Sequence, residues 1–195
     1  MRGTRTKTAR RKAIEAAKKI VGMDPVFLDT ETTGLDQNAE IVEVAIVAAD
    51  GQALVNTLVK PERPIPREAT QIHGITNKDV ADAPTFARVW QERLQPILAR
   101  GPVVIFNAPF DLRMIKQSLR RYGLAPEGIK AATCLMKLYA EFREEWNAAR
   151  GNYRWQTLEN AARQCRLELP ADLHRALGDA FLARAVLHHM ASQAD

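Results

Sequence analysis

The sequence predicts an α/β fold: a mixed sheet of about five strands, the first three antiparallel, flanked by helices. Three observations predict it. Short apolar runs at 26–30, 41–49 and 53–59 are separated by turn signals, Asp50-Gly51 among them. Beyond residue 84, stretches with helical apolar spacing alternate with short apolar runs. There is no Gly-x-Gly-x-x-Gly after the first strand and no phosphate-cradling Gly-Lys-Ser/Thr loop, which argues against a dinucleotide fold or a P-loop ATPase.

The elements follow in order. The first three strands read as a meander. The PERPIP stretch at 61–66 is an irregular connection, because its prolines exclude helix and central strand. Phe86, Val89, Trp90, Leu94, Ile97 and Leu98 recur at helical spacing, so 84–99 is a helix. VVIF at 103–106 is a buried strand, and Asn107 with Pro109 opens a helix to about 121. An extended segment at 130–136 leads into a helix to about 148. Thr157 caps a helix to about Arg166, and a well-buried helix runs from about Arg175 to Met190.

Composition bounds the partners. Hydrophobic residues make up 46% of 195, enough for one domain with a full core. No apolar run reaches the ~20 residues of a membrane span, so no membrane partner is expected. Cys134 and Cys165 lack metal or redox spacing and read as buried free thiols of a cytoplasmic protein. The net charge of +5 divides unevenly. Residues 1–19 carry eight basic groups and one acid, against 20 basic and 22 acidic groups in the rest. The expectation is a separable basic arm over residues 1–21, either holding nucleic-acid phosphates or merely solvated, ahead of a domain at 22–195.

The chemistry starts at FLDTETTGL, residues 27–35. Asp29 and Glu31, two apart on a strand, point to one face. Two carboxylates held together repel unless a cation sits between them. Asp111 lies in the first turn of the helix after the fourth strand, where the helix dipole favours an acid. Asp179 sits early in the apolar last helix and needs a metal or an arginine. His174, five residues earlier, is ~140° out of phase on a helix, so it reaches the same site only from the loop entering it. Four acids and one His, with no Cys, favour Mg²⁺ or Mn²⁺ over Zn²⁺. Two such ions clamp both oxygens of a phosphodiester displacement, and His174 fits as the proton acceptor.

In this order and spacing, FLDTETTGL, IHGIT (72–76), FNAPFD (106–111) and HRALGDA (174–180) resemble the motifs of the DEDDh 3′→5′ exonucleases. The similarity is to the DnaQ-like type of the polymerase III epsilon subunit and covers about residues 25–190. The resemblance implies a ribonuclease H-like fold, two divalent ions and release of nucleoside 5′-monophosphates from the 3′ ends of DNA, single-stranded or frayed. It implies Asp29, Glu31, Asp111 and Asp179 as metal ligands and His174 as general base. It implies a grip on the terminal nucleotide by Thr32, Thr33, Gly34 and Leu35, with His73, Asn107 and Phe110 near it. RNA trimming and a non-catalytic, polymerase-associated module are the alternatives it leaves. Phe106 and Ala132 depart from the family, where many members have His and Asp. Tyr139, Phe142 and Trp146, with Tyr153 and Trp155 beyond, read as a core-packing helix or a stacking platform for single strands.

Overall fold

The computed structural model describes residues 8–129, 132–171 and 173–194. Its sheet contains β1 (Val26–Thr32), β2 (Ile41–Val47), β3 (Ala53–Leu58), β4 (Val103–Ile105) and β5 (Ala132–Cys134), in the spatial order β3-β2-β1-β4-β5. β1, β2 and β3 pair antiparallel; β4 and β5 run parallel to β1. The expected mixed five-strand sheet is therefore present. All seven residues of β2 are buried, as expected of a strand covered on both faces.

Alternation along β1 splits the core in two. Phe27 points into a cluster with α1 (Ala9–Val21), α6 (Leu135–Arg143), α7 (Leu158–Gln164) and α8 (Ala176–Ser192). Leu28 points into the opposite cluster with α3 (Phe86–Val89), α4 (Gln95–Leu98) and α5 (Ala108–Arg120). A π-helical stretch, Trp90–Leu94, joins α3 to α4, so the expected helix at 84–99 is continuous but carries an unpredicted wide turn. The short α2 (Arg67–His73), also unpredicted, follows the proline-rich connection and ends at Gly74, whose φ of 74° suits glycine.

Two expectations need correction. Residues 9–21 are not a detached arm. They form α1, capped by Thr8, and bury Ala13, Ile14 and Ala17 against α8 and α6. Arg10 is engaged as well: its guanidinium donates to the Phe142 carbonyl and lies 4.0 Å from that ring's centroid. The helix hides three small or aliphatic contacts among basic residues, which is why composition alone reads it as an arm. Residues 1–7 of that expected arm lie outside the described residues. The helix expected to run to about 148 stops at Arg143, because Glu144 turns left-handed (φ 54°). The chain then forms a small hairpin, β6 (Trp146–Asn147) and β7 (Asn152–Tyr153).

The packing of α1 gives a test. Ile14→Ala should lower unfolding free energy by roughly 2–5 kcal/mol, the cost of truncating a buried aliphatic chain. Urea unfolding at constant slope checks it; an unchanged midpoint would return α1 to the status of an appendage.

Candidate active site

The face-to-face alternation of β1 builds the site. Asp29 and Glu31 share the Phe27 face and so meet α8, which brings Asp179. Oxygen atoms of Asp29, Glu31 and Asp179 lie within 4.8 Å of one another. Thr30 points to the opposite face and meets α5. Its hydroxyl donates to Asp111 Oδ1 at 2.8 Å. Asp111 thus lies beside the three-acid group rather than within it. All four acids, with Thr30, Phe106, Asn107, Phe110, Leu158 and His174, line one cavity of about 190 Å³.

The acids are under electrostatic strain. Burial, and then the charges of Asp111, Asp179, Glu31 and Glu43, hold the Asp29 carboxyl well above the usual range. Burial first, then Asp179, Glu43 and Asp111, raises Glu31 to about 8. Burial raises Asp111 to about 7, although the Thr30 hydrogen bond works against it. Like charges crowded on half-buried carboxylates, with an all-oxygen donor set, suit a hard divalent cation, which would relieve both the repulsion and the burial cost. Asp29, Glu31 and Asp179 are the residues placed to hold it.

His174 is exposed at the cavity rim, in the loop before α8 as its phase required. Its φ is 63°, a left-handed conformation that histidine tolerates better than most residues. The following residue fixes it. Arg175 donates through both Nε and Nη2 to Glu43, and the Ala176 amide donates to Glu43 Oε2 at 2.9 Å. Glu43 stands directly across the β1–β2 ladder from Glu31. Sequence reasoning missed Glu43 and Arg175. The available signal was a glutamate in the middle of the apolar strand IVEVAIV, which requires a buried partner.

A second recess, about 370 Å³, shares Thr30, Glu31 and Phe110 with the first. Thr32, Thr33, Gly34 and Leu35 form one wall; Pro66, Ile72 and His73 contribute to the other. The turn is held from within: Thr32 Oγ1 donates to the Gly34 carbonyl, and the Glu40 amide donates to Thr33 Oγ1. Gly34 has no left-handed φ, and a Cβ there would meet nothing nearer than Ala39 Cβ at 4.0 Å. The fold itself thus does not demand glycine at Gly34, leaving an open approach from the recess. Leu35 is 77% exposed. His73 is buried, and Nδ1 accepts from the Ile75 amide at 3.0 Å. Nε2 lies against the Thr32 backbone, short of a well-formed hydrogen bond, and burial lowers the ring's pKa. Asn107 stands before α5 with its side chain uninvolved in capping and exposed to the first cavity. Phe106 packs into the core and forms part of that cavity's wall.

A family model described as "Exonuclease" (RNase_T) matches residues 26–187, which include every acid of the site. The chain belongs to this exonuclease family. It is 40% identical over 182 residues to "Uncharacterized exonuclease CP81" of Escherichia phage 186, covering 91% of this chain and 93% of that one. It is 36% identical over 100 residues to the DNA polymerase III epsilon subunit of Rickettsia prowazekii; the match spans 48% of this chain and 43% of that subunit. Among solved structures, exonuclease X in complex with 5′ overhanging duplex DNA superposes with a TM-score of 0.61 at 30% identity, over 85% of this chain and 90% of that one. The nuclease domain of 3′hExo, a DEDDh family member bound to rAMP, shares the fold at TM-score 0.69 and 16% identity, over 84% and 90%. The ribonuclease H-like, DnaQ-type architecture expected from the motifs is thereby shown.

The raised carboxyls set a pH dependence. Burial and the neighbouring carboxylates raise Glu31 to about 8 in the folded chain, against ~4.3 for an unperturbed glutamate. The folded state therefore holds the proton more tightly, and stability present at low pH is lost as pH rises through the folded value. In chelator, the thermal midpoint should fall as pH is raised from about 5 to about 9. Excess Mg²⁺ or Mn²⁺ should flatten that fall by binding the ionised set. Calorimetry across the range checks it, and Asp29→Asn should abolish most of the cation effect.

Proposed function

We propose that the protein is a metal-dependent 3′→5′ exonuclease that removes nucleoside 5′-monophosphates from single-stranded or frayed 3′ ends of DNA. The observation that carries this reading is the junction of the two recesses at Glu31. One recess gathers the carboxylates Asp29, Glu31 and Asp179; the other is an apolar slot of nucleotide-binding size walled by Thr32–Leu35. A terminal nucleotide seated in the slot would present its phosphodiester to the acids.

Each residue then has a task. Asp29, Glu31 and Asp179, with Asp111 beside them, would hold two Mg²⁺ or Mn²⁺ ions. When bound, such ions supply the charge that stabilises phosphoryl displacement and favours deprotonation of water. His174, at the open rim, accepts the proton of the attacking water on its ring nitrogen. Thr32, Thr33 and Gly34 orient the sugar, Leu35 wedges against the terminal base, and Phe110 and His73 close the slot. Asn107 lies at the cavity rim toward the leaving strand.

The relatives support the substrate class. Exonuclease X was solved with 5′ overhanging duplex DNA, and the epsilon relatives are polymerase III subunits. DNA 3′ ends are accordingly the proposed substrate, association with a polymerase is the proposed context, and a cytoplasmic setting follows from both. Among the described residues, no helix is long and apolar enough to cross a membrane.

The test is nucleotide release from oligonucleotides labelled at either end, with matched single-stranded DNA, duplex DNA and RNA. Monophosphates should leave the 3′ end of DNA only when Mg²⁺ or Mn²⁺ is present; full activity in chelator would refute the metal role, and preferred RNA cleavage would reassign the substrate. His174→Ala should lower turnover by about 10²–10⁴ while substrate binding changes little. An equal loss in both would make His174 a structural residue.

A further inference from the structure

The hairpin between α6 and α7 has no place in the site described so far. It carries two exposed tryptophans, Trp146 (60%) and Trp155 (50%), while Tyr139 and Phe142 of the same sequence stretch are buried in the core. A core-packing account therefore covers the first pair of aromatics and not the second. Trp146 stands opposite Tyr153 in the ladder, with ring centroids 5.5 Å apart at 83°. The ladder continues one step, through the Arg154 amide donating to the Glu145 carbonyl at 2.7 Å. Trp155 follows Tyr153 by two residues, which puts both on one side of an extended chain.

A hairpin of two residues per strand is marginal by itself. Here it is anchored: Arg143 donates to Glu145 Oε1 and Gln156 to Glu145 Oε2, so one carboxylate clamps both ends of the loop. Glu144 is also engaged, accepting the Arg10 amide. The neighbouring acids are thus turned to structural use. Arg150 and Arg154 are exposed, and neither forms an ion pair among the described residues. The surface is aromatic and cationic, and rigidly held. Its position is also informative. Leu158, three residues after Trp155, lines the cavity of Asp29, Glu31, Asp179 and His174. Three residues span at most about 10 Å, so the platform borders the catalytic mouth.

The geometry points to this hairpin as a stacking platform for the single strand that leads into the catalytic cavity. Trp146 and Trp155 stack on bases a few nucleotides back from the reacting end, and Arg150 and Arg154 meet the phosphates. Stacking tolerates any base, so the platform confers grip on single strands without sequence preference. It rests on the exonuclease reading for the identity of its occupant, but its contacts lie outside the acid cluster.

The test measures binding of the full-length protein, in chelator, to a dinucleotide and to a single strand of about 12 residues. Replacing both tryptophans (Trp146→Ala with Trp155→Ala) should weaken the longer ligand by on the order of tenfold or more and the dinucleotide hardly at all. Phenylalanine at both positions should restore most of the loss. Replacing Arg150 and Arg154 with Ser should lower the salt slope of the longer ligand by roughly 0.7 per arginine. No loss on the longer strand, or equal loss on both ligands, would overturn the platform and leave the surface to a protein partner. The cleavage assay separates the two readings: release from the dinucleotide with Mg²⁺ present should survive the tryptophan changes. If the wild type cleaves no nucleic acid, the exonuclease reading fails, while length-dependent binding still decides the platform.

Discussion

Glu43 ties the last helix of the chain to the second strand, and the site exists because of that tie. Its carboxylate takes the Ala176 amide and the forked Arg175 guanidinium. A helix N-terminus carries unsatisfied amides and partial positive charge, so a buried carboxylate there answers both needs. The consequence is positional. Asp179 lies one turn into α8, Glu31 lies across the ladder from Glu43, and His174 immediately precedes Arg175. One ionic contact therefore sets His174 and Asp179 against Glu31, which lies some 140 residues earlier in the chain. Removing the arginine would leave the buried Glu43 carboxylate without its counter-charge, which is the more expensive way to break such a pair.

Around that anchor the protein keeps an unfavourable arrangement. Four carboxylates share a cavity; burial raises three of them, and the neighbouring acids push Asp29 and Glu31 up further. A stability-driven design would replace at least one. Among the described residues, the arginine whose charge reaches Glu31 is Arg175, which pairs with Glu43 and lowers the Glu31 pKa only as a minor influence. An arginine placed inside the cluster would neutralise it at the cost of occupying the space for cations. The arrangement makes physical sense when the compensating charge comes from outside the chain.

Much of this was legible in the sequence, because the informative signals are local. The period-2 alternation of FLDTETTGL gave β1 and the shared face of Asp29 and Glu31. Asn107-Ala108-Pro109 gave the start of α5, and Thr157 gave that of α7. The phase argument put His174 in a loop, where it lies. What failed depends on distant partners. Whether Ala13, Ile14 and Ala17 are exposed or buried is decided by α8, some 160 residues later. The end of α6 is decided by a left-handed Glu144 whose carboxylate is held by Arg10, and no local glycine or proline announces it. Glu43 was visible as an anomaly, but its meaning lies in Arg175. Trp146 and Trp155 were split between core and surface readings, because spacing cannot distinguish a helix that continues from one that stops.

The two recesses are coupled through α5. That helix supplies Asp111, which Thr30 holds against β1. The same helix reaches over the turn that walls the second recess. Arg113 donates to the Leu35 carbonyl, Gln117 to those of Asp36 and Ala39, and Arg121 to that of Asn38. Four loop carbonyls are thus fixed by three side chains spaced at helical intervals on one face. A turn in solvent would otherwise move independently of the acids, at an entropic cost each time it closed on a nucleotide. These bonds tie the turn to the helix that carries Asp111, so one element positions both the recess wall and an acid of the cluster. In the proposed reaction, a nucleotide seated against Thr32–Leu35 would be registered to the carboxylates by the fold itself, and positioning of this kind is a large part of what accelerates a displacement at phosphorus.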